Sequence, residues 1–426
     1  MNEGDGATTA NETKRSHWVM AEPAEADGDG MFNPLGLVGV LALFALLWFR
    51  GGPGPFVVVV GLLLMIMLHE LGHFMTARWA GMKVTQFFMF MGPRVWSIKR
   101  GEVEYGLRAL PLGGFVRIVG MHNLDPIEPG EYEHSYMAKP FRSRMMVITA
   151  GSVMHMIQAL ILFVVLSSVI GMPDSSQWQI EEIRAIEDGP TPAADAGLEP
   201  GETIVRVDGQ SSEDFRDLQA YLQSRPNEVV TLDVQGDQGD AVRSVEVTLA
   251  EIPLENGESI GFLGIAPRFE QTRRSPLVGA ENFAVAGWEV LKVVPRLLAP
   301  STYFNLLQLV AEGPEDVSIT SEEAQTRPVS VYGVARMAAQ PEFDWVTPIS
   351  ILALVNLFVG FFNLLPMLPL DGGHAAIAIY ERARSRRGKR HHVDVAKLLP
   401  VTWAVVVMLG VLMLTTLWLD IARPIG

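Results

Sequence analysis

The chain has 426 residues, of which 49% are hydrophobic, yet its formal net charge is −15. The apolar residues must therefore be concentrated in segments, which predicts a polytopic α-helical membrane protein that also carries a polar domain. Because cysteine is absent, disulfides, thiolate metal ligands and a cysteine nucleophile are excluded. We also expect no nucleic-acid partner.

The N-terminal part of the chain combines a polar tail with two apolar runs. Residues 1–31 are acidic and rich in glycine and alanine, so we expect a disordered tail. Because this preceding region is long and acidic, residues 32–49 are not expected to be a signal peptide. Residues 32–49 and 56–80 are each long enough to cross a bilayer. The intervening residues 50–55 contain only arginine, glycine and proline. This composition predicts a tight turn, so that residues 32–80 form a helical hairpin.

The second apolar run contains the sequence His69-Glu70-Leu71-Gly72-His73. Residues four apart lie on one helix face, so His69 and His73 can bind one zinc ion while Glu70 turns toward the activated water. The alternative is a pair of surface histidines with a solvated glutamate. A segment at membrane depth has no water to solvate them, and we therefore predict a zinc site in this span.

The next three segments differ in charge. Residues 81–144 form a loop rich in Lys and Arg, with β-prone pieces in its first half, and the charge places it in the cytoplasm. Residues 145–171 are predicted to span the membrane. Residues 179–267 follow on the outside and have the alternating, turn-rich pattern of a small α/β domain. Residues 268–345 are predicted to be an extracytoplasmic linker with amphipathic segments.

A second group of candidate residues lies in residues 346–380. Here an apolar stretch is followed by Asn363-Leu364-Leu365-Pro366-Met367-Leu368-Pro369-Leu370-Asp371-Gly372-Gly373-His374. A catalytic zinc needs three protein ligands, and a carboxylate at membrane depth needs a partner, so Asp371 is the candidate third ligand. A helix cap at the membrane boundary is the alternative. The prolines and glycines predict a broken helix that lines a cavity. A basic cytoplasmic hinge at 381–397 and a last span at 398–420 complete the chain.

The two motifs, His-Glu-x-x-His in one span and Asn-x-x-Pro-x-x-Pro-Leu-Asp-Gly in a later one, together resemble the signatures of the site-2 protease family of intramembrane zinc metalloproteases. The resemblance extends from about residue 56 to residue 419. It implies that His69, His73 and Asp371 bind zinc, that Glu70 is the general base, and that Asn363 helps to bind the substrate or the developing oxyanion. The family core has four spans. If residues 32–49 also cross the membrane, that span is an addition to this core.

The same resemblance covers the segments between the spans. Residues 192–209 look like the core signature of a PDZ domain, and Gly261-Phe262-Leu263-Gly264 resembles its loop for a peptide C-terminus. A domain that only blocks access is the alternative. The cytoplasmic loop resembles the membrane-associated β-hairpin of the family, in which Gly114, Phe115 and Val116 would offer a strand edge to an unwound substrate. An ordinary interfacial hairpin is the alternative there.

The sequence departs from the family at residues 150–155, where Ser152 and His155 replace a proline and an asparagine. His155 and His374 either support the ligands or are polar residues that face the bundle or the solvent. The resemblance implies hydrolysis of a peptide bond within or near the transmembrane segment of a pre-trimmed single-pass protein, such as an anti-sigma factor. The implied location is the cell membrane, in contact with lipid, with the PDZ domain outside the cytoplasm. An inactive PDZ-bearing adaptor is the rival, although the complete set of ligands and base argues against it.

Overall fold

The computed structural model describes most of the chain, but not the predicted tail at 1–31. The described residues are 32–121, 127–128, 130–185, 191–212, 214–236, 241–253, 259–314, 317, 327–339, 343–385, 391 and 393–424.

Four helices within the described residues are long and apolar enough to cross a membrane. Three come early in the chain: α1 (Pro34–Gly51), α2 (Pro53–Trp79) and α3 (Phe141–Val165), which continues as a π-helical turn over Leu166–Ile170. The fourth covers Ala396–Ala422 near the C-terminus. A shorter apolar helix covers Val346–Phe362. These lengths and compositions fit a multi-pass α-helical membrane protein.

Helices α1 and α2 form a hairpin around Gly52. Asn33 caps α1 by accepting a hydrogen bond from the backbone N–H of Gly36 at 3.0 Å. Gly52 has a φ of 76°, a conformation that other residues rarely adopt, and this allows the chain to reverse in one residue. The rings of Trp48 and Phe56 then pack edge to face across the turn at 5.1 Å.

Strands β1 (Val84–Arg100) and β2 (Val103–Ile118) form an antiparallel ribbon that follows α2. Both strands are bent, because their register shifts repeatedly. Residues 86–89 of β1 therefore lie between residues 104–107 and residues 114–117 of β2. The segment predicted as a β-hairpin is thus an antiparallel pair of strands that folds back on itself. Its segment 114–117 keeps an outer edge without a ladder partner among the described residues.

Helix α3 begins at Phe141, four residues earlier than the predicted span at 145–171. Arg144 lies in its first turn, and the side chain of Arg144 is buried against Glu381 with an Nη1 to Oε2 distance of 2.8 Å. A buried charge needs such a partner, and the pair lets the helix extend past the apolar run.

The inserted domain follows α3. Its elements in chain order are β3 (Met172–Ile183), α4 (Pro192–Asp195), β4 (Thr203–Val207), β5 (Gln210–Ser211), α5 (Phe215–Gln223), β6 (Val229–Gln235), β7 (Arg243–Thr248), β8 (Ala250–Pro253), β9 (Ser259–Phe262) and β10 (Ile265–Thr272). Four strands form a sheet in the order β5-β4-β6-β7. The core combines alternate strand residues with one face of α5: Ile204, Leu232, Val234 and Val247 pack with Leu218 and Leu222.

The inserted domain is wider than the predicted 179–267, because β3 and β10 pair as far as Met172 and Thr272. This ribbon joins the domain to the end of α3. At its base, Asp174 lies 2.9 Å from Arg274 and accepts a hydrogen bond from Ser176 Oγ at 2.8 Å. The hydrogen bonds from Ser176 and the Arg274 guanidinium lower the pKa of Asp174 to about 2. The carboxylate is therefore charged at neutral pH, and the two ends of the insertion are fixed to each other.

The remaining helices are α6 (Pro276–Leu297), α7 (Pro300–Glu312), α8 (Val331–Met337), α9 (Val346–Phe362), α10 (Asp371–Arg384) and α11 (Leu399–Ala422). Helix α6, in the predicted linker at 268–345, packs against α3 and α9 rather than apart from the bundle. A Cβ on its Gly279 would lie 2.7 Å from Phe163 of α3, so the two backbones are close. The predicted hinge at 381–397 is also partly helical, since α10 ends only at Arg384.

A buried ion pair fixes the end of α11. Arg327 Nη2 lies 3.1 Å from Asp420 Oδ1, and Asp420 Oδ2 accepts the backbone N–H of Ser330 at 2.6 Å. Gly333 follows in α8, and a Cβ there would be 2.4 Å from Asp420 Oδ2. Because α8 also packs against α2, this contact connects the last span to the helix that carries the His-Glu-x-x-His motif.

Candidate metal centre

His69 and His73 lie one turn apart on the inner face of α2. Their exposed fractions are 8% and 5%, so neither ring is solvated. The two Nε2 atoms are 3.1 Å apart. This is the arrangement expected of residues four apart on one helix face.

Asp371 completes a cluster with these histidines. Its Oδ2 atom lies 3.5 Å from His69 Nε2 and 3.3 Å from His73 Nε2. Ligand atoms of a tetrahedral zinc ion are about 3.3 Å apart, given zinc to ligand bonds of about 2.0–2.1 Å. Among the described residues, these three form the one group of His, Asp and Glu side chains close enough to hold a metal ion.

The hydrogen bonds around the cluster also fit a metal. The Nδ1 atom of His73 lies 2.7 Å from the carbonyl oxygen of Val147, a contact that places the proton on Nδ1 and leaves Nε2 free to bind. Asp371 Oδ2 is buried and has no hydrogen-bond partner among the described residues. A buried carboxylate oxygen without a partner is costly, and a cation at the centre of the cluster would satisfy it.

The break between α9 and α10 places Asp371. The carbonyl oxygen of Asn363, at the end of α9, accepts the backbone N–H of Gly372 at 2.7 Å. Gly372 and Gly373 allow the chain to fold back on itself, because a Cβ on either would lie within 2.5 Å of the backbone of residues 364–368. Asp371 is thus held at the first turn of α10. The side chain of Asn363 has no hydrogen bond to the cluster in the described residues.

Glu70 lies beside the cluster and against strand β2. A Cβ placed on Gly114 would lie 3.4 Å from Glu70 Cγ, so a side chain there would fill the space between them. The backbone of Val116 is near the Glu70 carboxyl group. The neighbouring Phe115 ring stacks on Phe88 at 5.5 Å. The outer edge of the ribbon therefore passes directly over the glutamate.

The ring of His155 lies next to the metal cluster. Its ring centroid lies 4.9 Å from that of His69, and its Nδ1 atom lies 3.1 Å from Asn356 Oδ1. Both residues are almost fully buried. Asn356 is not among the residues predicted from the sequence, although an amide in an apolar span is a usable signal. Gly151 permits this packing, since a Cβ there would lie 2.2 Å from the His69 ring.

The other predicted residues lie elsewhere. Gly261, Phe262, Leu263 and Gly264 belong to the inserted domain, where β9 packs against α5. A Cβ on Gly261 would be 2.3 Å from the carbonyl oxygen of Leu222. These four residues are therefore separate from the cluster. His374 is half-buried, one turn after Asp371 in α10.

A comparison with known families gives one match, to the model of peptidase family M50, over residues 57–409. The chain belongs to peptidase family M50, the family of site-2 proteases. The M50 match covers both candidate metal-binding motifs and the inserted domain. The prediction of this family from the sequence is confirmed.

Curated relatives agree with the M50 assignment. The chain is 31% identical to the zinc metalloprotease Rip1 of Mycobacterium tuberculosis over 86% of this chain and 96% of that protein. It is 29% identical to Rip1 of Mycolicibacterium smegmatis over 88% and 98%. It is 28% identical to a putative zinc metalloprotease of Mesorhizobium japonicum over 76% and 88%. The protein is therefore a zinc metalloprotease, as predicted, and Zn²⁺ is its cofactor.

Proposed function

We propose that this M50 protein is an intramembrane protease that hydrolyses a peptide bond within or near the transmembrane segment of a single-pass protein. The substrate is one that has already been trimmed outside the membrane, such as an anti-sigma factor. The observation that carries the proposal is the position of the cluster. Its ligand atoms come from α2, an apolar helix of 27 residues, and from the break that follows the apolar helix α9.

The residues have separate roles in this mechanism. His69, His73 and Asp371 would hold the zinc, which would supply a water of lowered pKa and polarise the scissile carbonyl. Glu70 accepts the proton of the attacking water and delivers it to the leaving amine. Asn363 binds the substrate or steadies the oxyanion. His155, held by Asn356, packs against His69 and limits the movement of its ring.

The strand edge at Gly114, Phe115 and Val116 holds the substrate. A helical peptide bond is shielded by its own backbone hydrogen bonds, so the substrate must unwind before attack. An unwound segment can pair with the outer edge of β2. The short distance between Gly114 and Glu70 supports this role, because a segment on that edge would pass the general base.

The inserted domain acts as a PDZ domain outside the cytoplasm. The basic loop at 81–144 and the basic hinge at 381–397 favour the cytoplasm for the opposite end of the bundle. Gly261, Phe262, Leu263 and Gly264 form the loop for a peptide C-terminus, next to α5. The domain then serves as a size filter that keeps untrimmed substrates from the cluster. The short ribbon that ties it to α3 supports this role.

Cleavage of a transmembrane peptide by the purified protein in detergent tests the proposal. We expect cleavage that a zinc chelator such as phenanthroline stops and that added zinc restores. Cleavage of soluble peptides alone would contradict an intramembrane substrate. No cleavage of any peptide by folded, zinc-loaded protein would favour the inactive adaptor.

A further inference from the structure

A basic cavity lies at the end of the bundle opposite the inserted domain. It has a volume of about 590 Å³ and forms where the start of α3 meets the end of α10. Its charged and titratable lining residues are Lys139, Arg142, Arg144, Arg382, His391 and Glu381. None of them belongs to the metal cluster or to the strand edge beside Glu70.

Most of the positive charge in this cavity is not neutralised. Glu381 is the one carboxylate among the lining residues, and both of its oxygens have partners. Its Oε2 atom pairs with Arg144, and its Oε1 atom accepts a hydrogen bond from the backbone N–H of Val393 at 2.9 Å. Lys139, Arg142 and Arg382 have no acidic partner within the described part of the chain. The Nε atom of Arg144 is buried there and has no hydrogen-bond partner among the residues that the structure describes. The cavity therefore has a positive potential that favours an anion.

The first turn of α3 adds hydrogen-bond donors to the cavity. Phe141, Arg142 and Ser143 line it, and their backbone N–H groups belong to the turn that has no intrahelical acceptor. Pro140 precedes them and provides no side-chain cap. A helix N-terminus favours phosphate, and arginine pairs with phosphate through two parallel hydrogen bonds. The donor set fits a phosphate group better than a carboxylate or a chloride ion.

We propose that this cavity binds a phosphate group through Lys139, Arg142, Arg382 and the first-turn amides of α3. The cavity lies at the start of α3, a helix long and apolar enough to cross a membrane. Phospholipid head groups are found at the ends of such helices, and basic pockets between helices bind these groups. Free phosphate has the same chemistry. A phosphate bound here bridges α3 and α10, and α10 begins at Asp371. Binding therefore stabilises the helix that presents a candidate zinc ligand.

Thermal unfolding of the full-length protein tests this site. Protein in a phosphate-free maltoside detergent is compared with protein that has also received phosphatidylglycerol, and a third sample receives inorganic phosphate at constant ionic strength. We expect the Tm of the wild type to rise by about 2–4 °C with the bound phosphate. A rise only in phosphatidylglycerol identifies the ligand as lipid, whereas a rise with inorganic phosphate identifies free phosphate.

Variants decide whether the rise comes from this cavity. The variant R142Q/R382Q should lose most of the rise in Tm. The control R384Q/K99Q removes two exposed cations outside the cavity and should keep the rise. An equal rise in all three proteins, or no rise in any sample, would overturn the proposal. If R142Q/R382Q does not fold, native mass spectrometry of the wild type and of R142Q gives the answer. Phosphatidylglycerol or phosphate must then be retained by the wild type and lost from the variant.

Discussion

The Oδ2 atom of Asp371 lies 3.3 Å from Nε2 of His73, although the two residues are near opposite ends of the chain. Asp371 begins α10 after a broken helix, and His73 lies in the C-terminal third of α2. Only the packing of α2, α3, α9 and α10 brings them together. The proposed mechanism depends on this contact more than on either local motif.

Replacing Glu70 by glutamine separates catalysis from metal binding. The amide cannot accept the proton of the attacking water, so cleavage should fall by about 100- to 10,000-fold. The zinc content, measured on the folded protein, should stay at the wild-type value because the three ligands are unchanged. Turnover at the wild-type rate would remove Glu70 from the mechanism.

Replacing Gly114 by valine tests the strand edge. Its side chain would enter the space between β2 and Glu70, where a Cβ already lies 3.4 Å from Glu70 Cγ. Misplacing the substrate by about 1 Å costs roughly 100-fold in cleavage, and we expect a loss of that size with normal zinc content. Lys99→Val, at an exposed position of β1, is the control and should cleave normally. If Gly114→Val also cleaves normally, the substrate does not lie on this edge.

Replacing His155 by alanine tests its contact with His69. The change leaves a cavity beside the His69 ring, so zinc affinity should fall by about 10- to 100-fold in competition with a chelator. Asn356→Leu should change the affinity in the same direction, because it removes the partner of His155 Nδ1. Ile157→Ala, an exposed position of the same helix, should leave it unchanged. Wild-type affinity in both test variants would show that His155 only fills space.

Removing the inserted domain tests the size filter. Because Asp174 and Glu270 are paired in the ribbon, residues 175–269 can be replaced by a short glycine-rich turn that keeps the contact between Asp174 and Arg274. We expect normal zinc content and cleavage of untrimmed substrates, which the full-length protein should reject. If the shortened protein still cuts only trimmed substrates, the domain does not act as the filter.

The features that depend on local geometry could be predicted from the sequence alone. The spacing of His69 and His73 follows from helix geometry, and the break before Asp371 follows from two prolines and two glycines. Asp371 could be selected as a ligand because a lone carboxylate at membrane depth requires a partner. The cluster of these three residues has the geometry that a shared zinc requires.

Other features depend on tertiary contacts that no local pattern contains. The early start of α3 and the late end of α10 both follow from the pair of Arg144 and Glu381, which are distant in sequence. The folding of the β ribbon depends on register shifts within β1 and β2. The contact of His155 with His69 needed the crossing of α2 and α3 at Gly151. Side-chain periodicity predicts faces of elements, and it does not predict which faces meet.

The zinc content of Asp371→Asn is the most direct test of the proposed centre. The substitution keeps the side-chain volume but removes the charged ligand, so the folded protein should bind much less zinc and lose cleavage. Asp394→Asn, at an exposed position before the last span, should retain about one zinc per chain and normal cleavage. Full zinc occupancy in folded Asp371→Asn would contradict the proposed centre. The third ligand would then lie elsewhere, and His155 and His374 would be the next residues to replace.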